Sequence, residues 1–383
     1  MRVFVRSSLA SLIAVGFFAG AAAQTVRPEQ TALRAHSGKP FLTLPRTYNT
    51  SDSMARMPDG RIVLAVPNYN NLTLHEQGRT SEEAPALLAI VDPVRKTVQD
   101  WYRFQPADLS PVTGKVAPMG VAFGPDGNLY YVDRQTPYRE GAYSRVGRIV
   151  VQDGKPVRNE VVVEGGIGTN DLAWQQDRLY VTDAGIRPGS DKSNTVSGVF
   201  MFKLEELRHG PVRIKPNPAQ EGARDPHLIE TFVSNGKTRT GADGIAFDDA
   251  GNLYIGINEE GTIFRIALDA NGLPSGTPVL FARAPELLST DGMAFDAQRR
   301  RLYVADFLGN AVHEVDMNGN VTTLQKNGDA DSTTGQLDMP CALLLLGDRL
   351  IVSNMDYVSA APGRSVNATL NLDHALTALN VVR

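Results

Sequence analysis

Short apolar segments, each followed by a tight turn and a second apolar segment, recur along this chain. Residues 244–257 show the pattern: Gly-Ile-Ala-Phe, a turn rich in Asp, Gly and Asn, and then Leu-Tyr-Ile-Gly-Ile. The turn residues tolerate the left-handed backbone of a tight hairpin, and the flanking residues are of types common in strands. Clear copies begin near residues 118, 169, 242 and 290, and weaker copies occupy residues 51–68 and 339–354.

The six copies begin at intervals of about 50 to 70 residues, which is enough for four short strands and their loops. Repetition of one hairpin-based unit at this interval predicts an all-β fold: a six-bladed β-propeller with four-stranded antiparallel blades around a central channel. Third strands are expected at residues 262–267 and 311–316, and a fourth, outermost strand at residues 161–163.

The sixth copy has few partners of its own. Apolar segments after it lie at residues 368–372 and 379–382, and residues 41–44 near the other end alternate apolar and polar side chains. We expect strands from both ends of the chain to share the sixth blade, because closing the ring removes exposed sheet edges. The sequence leaves open which end supplies the outermost strand.

The first 23 residues are typical of a signal peptide. Arg2 and Arg6 precede an apolar stretch at residues 9–18, and three alanines ending at Ala23 form a small-residue cleavage pattern. The apolar stretch is too short for an ordinary membrane-spanning helix, although a buried N-terminal helix is an alternative. We therefore predict cleavage after Ala23 and a periplasmic or secreted protein, with residues 24–50 as an N-terminal arm containing a closing strand and residues 51–383 as the propeller.

Composition narrows the range of partners. The formal net charge is −4 and no run of Lys or Arg indicates a nucleic-acid or membrane surface. Cys341 is the single cysteine, so an intrachain disulfide is excluded. We expect a monomer that acts on a small molecule.

When the blades are aligned on their first strand, one position carries oxygen-bearing side chains in four of six blades. First strands line the channel of a propeller, so equivalent positions form a ring around one point. Carboxylates gathered there repel one another unless protons or a cation compensate, and oxygen ligands favour Ca²⁺, with Mg²⁺, Mn²⁺ and Zn²⁺ as alternatives. A structural role at strand ends is the competing interpretation. The aligned residues are Asp52, Met119, Asn170, Asp243, Asp291 and Pro340.

A second ring of Asp and Asn is expected where the second strands end, at the same rim. Because the residue type recurs in every blade, fastening of the blades is the favoured role, and ligand binding by a member such as Asp133 is the alternative. Two irregular loops, residues 69–85 with His75 and residues 185–197, are candidate lids or solvated insertions. The ring consists of Asn68, Asp133, Asp183, Asn258, Asp306 and Asn354.

The strand-start segments Ser51-Asp52-Ser53, Thr169-Asn170-Asp171 and Ala242-Asp243-Gly244 resemble those of the gluconolactonase, senescence-marker and luciferin-regenerating family. The resemblance covers the chain from about residue 50 to the last blade. It implies a six-bladed propeller, one divalent cation in the channel, and hydrolysis of sugar lactones or related cyclic esters.

The family's Glu, Asn and Asp metal ligands fall on Asp52, Asn170 and Asp243. Asp52 differs from the family's Glu because its side chain is one methylene shorter. Met119 stands where the family often has an Asn that contacts substrate, and Asp291 is similar to an Asp ligand of paraoxonase-type propellers, which act on lipophilic lactones and esters. The resemblance therefore implies a substrate-binding Met119 and a less polar substrate.

The mechanism that the resemblance implies uses the cation to polarise a carbonyl and a water as nucleophile. Asp243 is the first candidate for the base and Asp291 the second, and His75 is a candidate substrate contact. Two other classes stay open. A non-enzymatic, NHL-like propeller would bind a protein or glycan and hold a structural metal. A lyase or quinone enzyme would need a His, or clustered Arg and His, at the channel mouth.

Overall fold

The structure is a computed structural model, and it describes residues 38–186 and 193–381. The predicted signal peptide and the middle of the candidate lid at residues 185–197 lie outside the described residues. No helix within the described residues is long and apolar enough to cross a membrane.

Twenty-five strands and a few short helices make up the described part of the chain. The first eleven strands are β1 (Lys39–Thr43), β2 (Met54–Arg56), β3 (Ile62–Val66), β4 (Leu87–Asp92), β5 (Thr97–Arg103), β6 (Pro118–Phe123), β7 (Leu129–Asp133), β8 (Ser144–Gln152), β9 (Lys155–Gly166), β10 (Thr169–Gln175) and β11 (Arg178–Asp183). The next seven are β12 (Thr195–Lys203), β13 (Val212–Arg213), β14 (Leu228–Ser234), β15 (Ala242–Phe247), β16 (Leu253–Ile257), β17 (Thr262–Ile266) and β18 (Val279–Arg283). The last seven are β19 (Met293–Asp296), β20 (Arg301–Asp306), β21 (Ala311–Asp316), β22 (Val321–Lys326), β23 (Pro340–Leu346), β24 (Arg349–Asn354) and β25 (Ala375–Asn380). The helices are α1 (Asn71–Glu76), α2 (Leu204–Leu207) and three 3-10 turns at Pro106–Asp108, Asn258–Glu260 and Val358–Ala360.

These strands form six separate antiparallel sheets, which confirms the predicted six-bladed β-propeller. Blade one is β2–β5, blade four is β15–β18 and blade five is β19–β22. Blade three is β10, β11, β12 and β14, and blade two is β6–β9 with the two-residue β13 added in parallel as a fifth strand. The third strands expected at residues 262–267 and 311–316 are β17 and β21. Residues 161–163 lie in the fourth strand of blade two, β9, as predicted, but β9 is not outermost because β13 pairs with its outer edge.

Blade six contains strands from both ends of the chain. Its order is β23, β24, β25 and β1, so the N-terminal strand is the outermost one. Strand β1 pairs antiparallel with β25, with Thr43 opposite Ala375. The segment at residues 368–372 is not a strand, contrary to the prediction. It belongs to the long connection between β24 and β25, where Asn371 donates a hydrogen bond to Asp338 rather than joining a ladder.

A Leu-Tyr pair recurs in the second strands of four blades and contributes to the core between blades. Tyr130, Tyr180, Tyr254 and Tyr303 are all fully buried, and burying such a side chain contributes about 1.5–3 kcal/mol of stability. The phenol of Tyr254 donates to Asp248 in the preceding hairpin turn at 3.0 Å, and Tyr130 donates to Asp126 in the same way. The polar turn and the apolar strand of the repeat are therefore one packed unit.

The innermost strands begin with a β-bulge, which positions the channel residues. The register between first and second strands shifts between Thr169 and Leu172 and between Ala242 and Ile245, and at corresponding places in blades two and six. A bulge bends the strand and changes the direction of a side chain. The glycine of the repeat allows neighbouring innermost strands to approach, because a methyl group at Gly244 would overlap the backbone carbonyl of the next blade.

Candidate functional site

A cavity of about 360 Å³ opens at the end of the channel where the innermost strands begin. A smaller chamber of about 30 Å³ has many of the same walls. All four oxygen-bearing residues predicted from the blade alignment line both spaces. They are Asp52, Asn170, Asp243 and Asp291.

The carboxyl groups in this cavity are poorly solvated. Asp52 and Asp243 are only 6% and 2% exposed. Burial, followed by repulsion from neighbouring acids, raises the pKa of Asp52 and of Asp291 well above the usual range. Burial also raises the pKa of Asp243 to about 7, with the nearby positive charge of Arg134 acting in the opposite direction. The site therefore holds more acid than its own cations neutralise.

Asn170 connects Asp243 to Arg134. Its amide nitrogen donates to the Oδ1 of Asp243, and its carbonyl oxygen accepts a hydrogen bond of 2.6 Å from the Nη1 of Arg134. Arg134 follows the last residue of β7 and lines the cavity. The blade alignment did not find Arg134, because it lies one residue beyond the repeated motif.

Asp171 is another residue that the blade alignment missed, and it is an acid. It follows Asn170 on β10, lines the small chamber, and has its pKa raised to about 7 by burial. Other blades have a glycine or a small residue at this position, and that difference is the signal that could have found it. A side chain on Gly120 of the neighbouring blade would meet Asp171, so the close approach of the two strands leaves room for one side chain.

The donor set fits a hard divalent cation. The Oδ2 atom of Asp52 is buried without a hydrogen-bond partner, which is costly unless an ion or a proton satisfies it. Carboxylate and amide oxygens are the ligands that Ca²⁺ and Mg²⁺ prefer. The oxygens of Asp52, Asp243 and Asp291 do not all lie within 4.8 Å of one another, so the fit rests on charge and ligand type.

Part of the cavity wall is apolar. Met119 is 7% exposed and Met355 4%, and both line the cavity beside Tyr69 and Tyr357. The rings of Tyr69 and Tyr357 stack with centroids 5.1 Å apart. Tyr69 begins the loop predicted as a candidate lid, while Tyr357 comes from the connection between β24 and β25, which the sequence did not single out.

Two predicted substrate contacts lie away from the cavity walls. His75 is exposed on α1. Asp133 is 1% exposed, accepts a hydrogen bond from the backbone of Ala117 at 2.8 Å, and forms an ion pair with Arg145. Its carboxylate joins the end of β7 to the chain that enters β6, and this geometry corresponds to fastening rather than to substrate contact.

The same arrangement recurs in most members of the second ring. Asp183 accepts from the backbone of Gly168 at 2.7 Å, Asp306 from Ser289 at 2.9 Å, and Asn68 from Asn49 at 2.8 Å. Asn258 is the exception. It lines the cavity next to Asp243, and in its blade Glu259 accepts the backbone hydrogen bonds instead.

Neither a protein-family model nor a curated protein matches the sequence. Solved structures match it in fold. The aldose sugar dehydrogenase of Streptomyces coelicolor in its PQQ-bound form is 13% identical, with a TM-score of 0.54 over 89% of this chain and 96% of that chain. A gluconolactonase from Xanthomonas campestris is 13% identical, with a TM-score of 0.51 over 90% and 87%. The calcium-binding protein regucalcin from Agrobacterium tumefaciens is 14% identical, with a TM-score of 0.52 over 91% and 94%. The chain thus shares its propeller fold with gluconolactonase and regucalcin, and also with a sugar dehydrogenase.

Proposed function

We propose that the protein is a divalent-metal-dependent hydrolase of lactones or related esters that carry an apolar group. The observation that carries the proposal is the meeting, in one cavity, of oxygen-bearing side chains from four blades with a wall of aromatic and thioether side chains. The first feature suits a hard cation, and the second suits an apolar group beside the reacting carbonyl.

Asn170 and Asp243 are the proposed centre of the metal site, with Asp52 and Asp291 as the further acids that face it. Ca²⁺ is the first candidate because all four offer oxygen. A bound divalent cation would polarise the ester carbonyl and stabilise the negative charge that develops on its oxygen.

Asp291 is the better candidate for the general base. Asp243 is engaged by the amides of Asn170 and Asn258, which suits a ligand. Asp291 accepts a hydrogen bond from the backbone N–H of Gly292 at 3.0 Å, and its pKa is raised by burial and by the neighbouring acids. An ionised carboxylate with a raised pKa accepts a proton readily, so Asp291 would take the proton from the attacking water.

Arg134 and the apolar wall would orient the substrate. The guanidinium of Arg134 donates to Asn170 and lines the same cavity as Met119 and Tyr357. A substrate could place its carbonyl near Asn170 and the oxygen-bearing side chains, and its apolar group in contact with Met119. The enclosed volume is of the size usual for small-molecule sites.

The test is hydrolysis of a panel of lactones and esters by the purified protein. The panel contains gluconolactone, γ- and δ-lactones of increasing alkyl chain length, and aryl esters. We expect turnover that is lost on chelation, restored by Ca²⁺ or another divalent cation, and greatest for the substrates with apolar groups. A metal-loaded protein that hydrolyses none of these would contradict the proposal and favour the NHL-like binding module.

The sugar-dehydrogenase neighbour calls for a parallel assay. Arg134 and Arg239 line the cavity, but no histidine is among its walls in the described residues, and the acids that surround it would repel the carboxylates of a quinone cofactor. Dye reduction with glucose and added PQQ should therefore be absent. PQQ-dependent reduction without any ester hydrolysis would replace the hydrolase with an oxidoreductase.

We also propose that the enzyme is exported, on the strength of its first 23 residues. Mass spectrometry of the protein from the periplasm or medium should find a mature chain that begins at Gln24. Recovery of the uncut chain from the cytoplasm alone would contradict export.

A further inference from the structure

Three buried side chains in blade six converge at a place apart from the channel acids. Asp338 precedes β23, Asp356 follows β24, and His374 directly precedes β25. Their ligand atoms all lie within 4.8 Å of one another. Each side chain is at most 2% exposed. None of the three lines the central cavity.

The group has polar atoms without partners. Neither ring nitrogen of His374 makes a hydrogen bond, and the Oδ1 atom of Asp356 makes none either. A buried imidazole normally has at least one partner, and leaving such atoms unsatisfied costs about 1–3 kcal/mol each. One ligand atom of each residue lies close to the others, so a single further atom among them would satisfy one ring nitrogen of His374 and the free oxygen of Asp356.

Surrounding amides orient the two carboxylates. The side-chain amide of Asn367 donates to Asp338, and that of Asn371 donates to its other oxygen at 3.3 Å. The backbone N–H of Asn371 donates to the Oδ2 of Asp356 at 2.5 Å. The Oδ1 of Asp356 takes no part in this hydrogen bond. Outer contacts of this kind fix the ligands of protein metal sites.

The charges of the group also call for a cation. Burial, with smaller repulsion from Asp331 and Asp329, raises the pKa of Asp338 to about 7. Burial and repulsion from Asp338 raise the pKa of Asp356 to about 9, while burial lowers the pKa of His374 to about 4. Without a cation, the site must keep a proton on a carboxyl and leave the imidazole neutral. Two ionised carboxylates and a neutral imidazole would match a divalent ion, since their charges sum to neutrality.

We propose that Asp338, Asp356 and His374 bind a divalent transition metal, with Zn²⁺ as the first candidate. An imidazole with two carboxylates is a ligand set that Zn²⁺ accepts, whereas Ca²⁺ prefers oxygen alone. In a tetrahedral Zn²⁺ site with ligand distances of about 2.0–2.2 Å, the ligand atoms lie about 3.3–3.6 Å apart. The ligand atoms here lie within 4.8 Å of one another, so they would have to move closer by at most about 1.5 Å on binding.

The site would hold the blade that closes the ring. It connects the loop before β23 to both ends of the connection between β24 and β25. That connection begins with Met355 and Tyr357, which line the central cavity. A metal at Asp356 would therefore stiffen the apolar wall without touching the channel acids. This inference does not depend on the proposed hydrolase activity.

The experiment uses the full chain with Asp243→Asn, so that the channel site is weakened. After chelation and dialysis, Zn²⁺ alone is titrated by calorimetry. We expect one Zn²⁺ per chain, and a melting temperature that rises by about 4 °C when free Zn²⁺ is about 100 times its dissociation constant. His374→Ala and Asp356→Asn should each weaken this binding at least 100-fold. His75→Ala, which removes an exposed histidine, should leave it unchanged.

A variant that fails to fold does not end the test, because hydrogen exchange of the unaltered protein needs no substitution. Zn²⁺ should slow the exchange of backbone amides in residues 355–374. Absence of Zn²⁺ binding in the Asp243→Asn protein, equal affinity after His374→Ala, or unchanged exchange in residues 355–374 would each overturn the proposal.

Discussion

The Nη1 of Arg134 donates to the Oδ1 of Asn170 at 2.6 Å, so a cation of the protein itself occupies the amide oxygen that the metal site would use. The amide nitrogen of Asn170 is directed to Asp243 at the same time. Arg134 and a metal ion therefore compete for one oxygen and for the field of the same carboxylates.

Arg134→Gln should tighten Ca²⁺ binding. The change frees Asn170 and removes a positive charge a few ångströms from the acids, where charge pairs interact by up to about 4 kcal/mol. We expect at least a 10-fold lower dissociation constant by calorimetry, together with a higher KM for substrates. Arg158→Gln alters an exposed arginine and should change neither the dissociation constant of Ca²⁺ nor KM. Weaker Ca²⁺ binding in Arg134→Gln would show that Arg134 supports the site.

Asp243→Asn should abolish activity without unfolding the protein. The side chain keeps its shape but loses the charge that faces the cation, so we expect metal affinity to fall at least 100-fold and kcat/KM to fall in step. Asp249→Asn, at an exposed turn in the same blade, is the matched control. Unchanged turnover in Asp243→Asn would remove Asp243 from the mechanism.

Met119→Asn should shift substrate preference towards polar lactones. Met119 is buried in the cavity wall, and contact with an apolar side chain is worth about 1.5–3 kcal/mol. We expect kcat/KM for long-chain lactones to fall about 10- to 100-fold relative to gluconolactone. Equal losses for both substrate types would mean that Met119 supports the fold and does not select the substrate.

The metal-free protein should become less stable as the pH rises from 6.5 to 8. Burial raises the pKa of Asp243, Asp171 and Asp338 to about 7 and that of Asp356 to about 9, whereas an unfolded Asp ionises near pH 4. The folded state therefore binds more protons than the unfolded chain in this interval, and the stability that this contributes is lost as the pH rises through 7. We expect the melting temperature to fall by a few degrees.

Calcium should reverse that trend. Ionised ligands bind the cation, so its affinity should rise with pH by roughly 10-fold per unit for each proton released. Melting curves at several pH values, with and without Ca²⁺, measure both effects. A metal-free melting temperature that does not fall between pH 6.5 and 8 would mean that these buried acids are already ionised without a cation.

Asp133→Asn should lower the free energy of unfolding and leave kcat/KM for hydrolysis unchanged. The change breaks a buried ion pair with Arg145, whose side chain is 12% exposed, and removing one partner of such a pair costs about 3–5 kcal/mol. Asp59→Asn, in an ion pair at the surface, should cost less than about 1 kcal/mol. Denaturant unfolding measures both. A loss of kcat/KM without a loss of stability would return Asp133 to the substrate site.

The repeat in the sequence was enough to predict the blades and four residues of the cavity wall. Equivalent positions of the repeats form a ring around the channel. Alignment of the copies therefore predicted that Asp52, Asn170, Asp243 and Asp291 lie close together. It did not separate Asp133, which fastens its blade, from Asn258, which faces the cavity. Both occupy the same place in the motif, and only the local path of the chain distinguishes them.

The sequence by itself determined the periodic features: the number of blades, the hairpins, and the ring of oxygen-bearing residues at the strand starts. Their physical basis is local, since turn chemistry and the apolar character of the strands act within a single blade. Tertiary structure alone decided the features that do not follow the repeat. Arg134, Tyr357 and the triad of Asp338, Asp356 and His374 lie in loops of irregular length, and their neighbours are set by how the closed ring directs each loop.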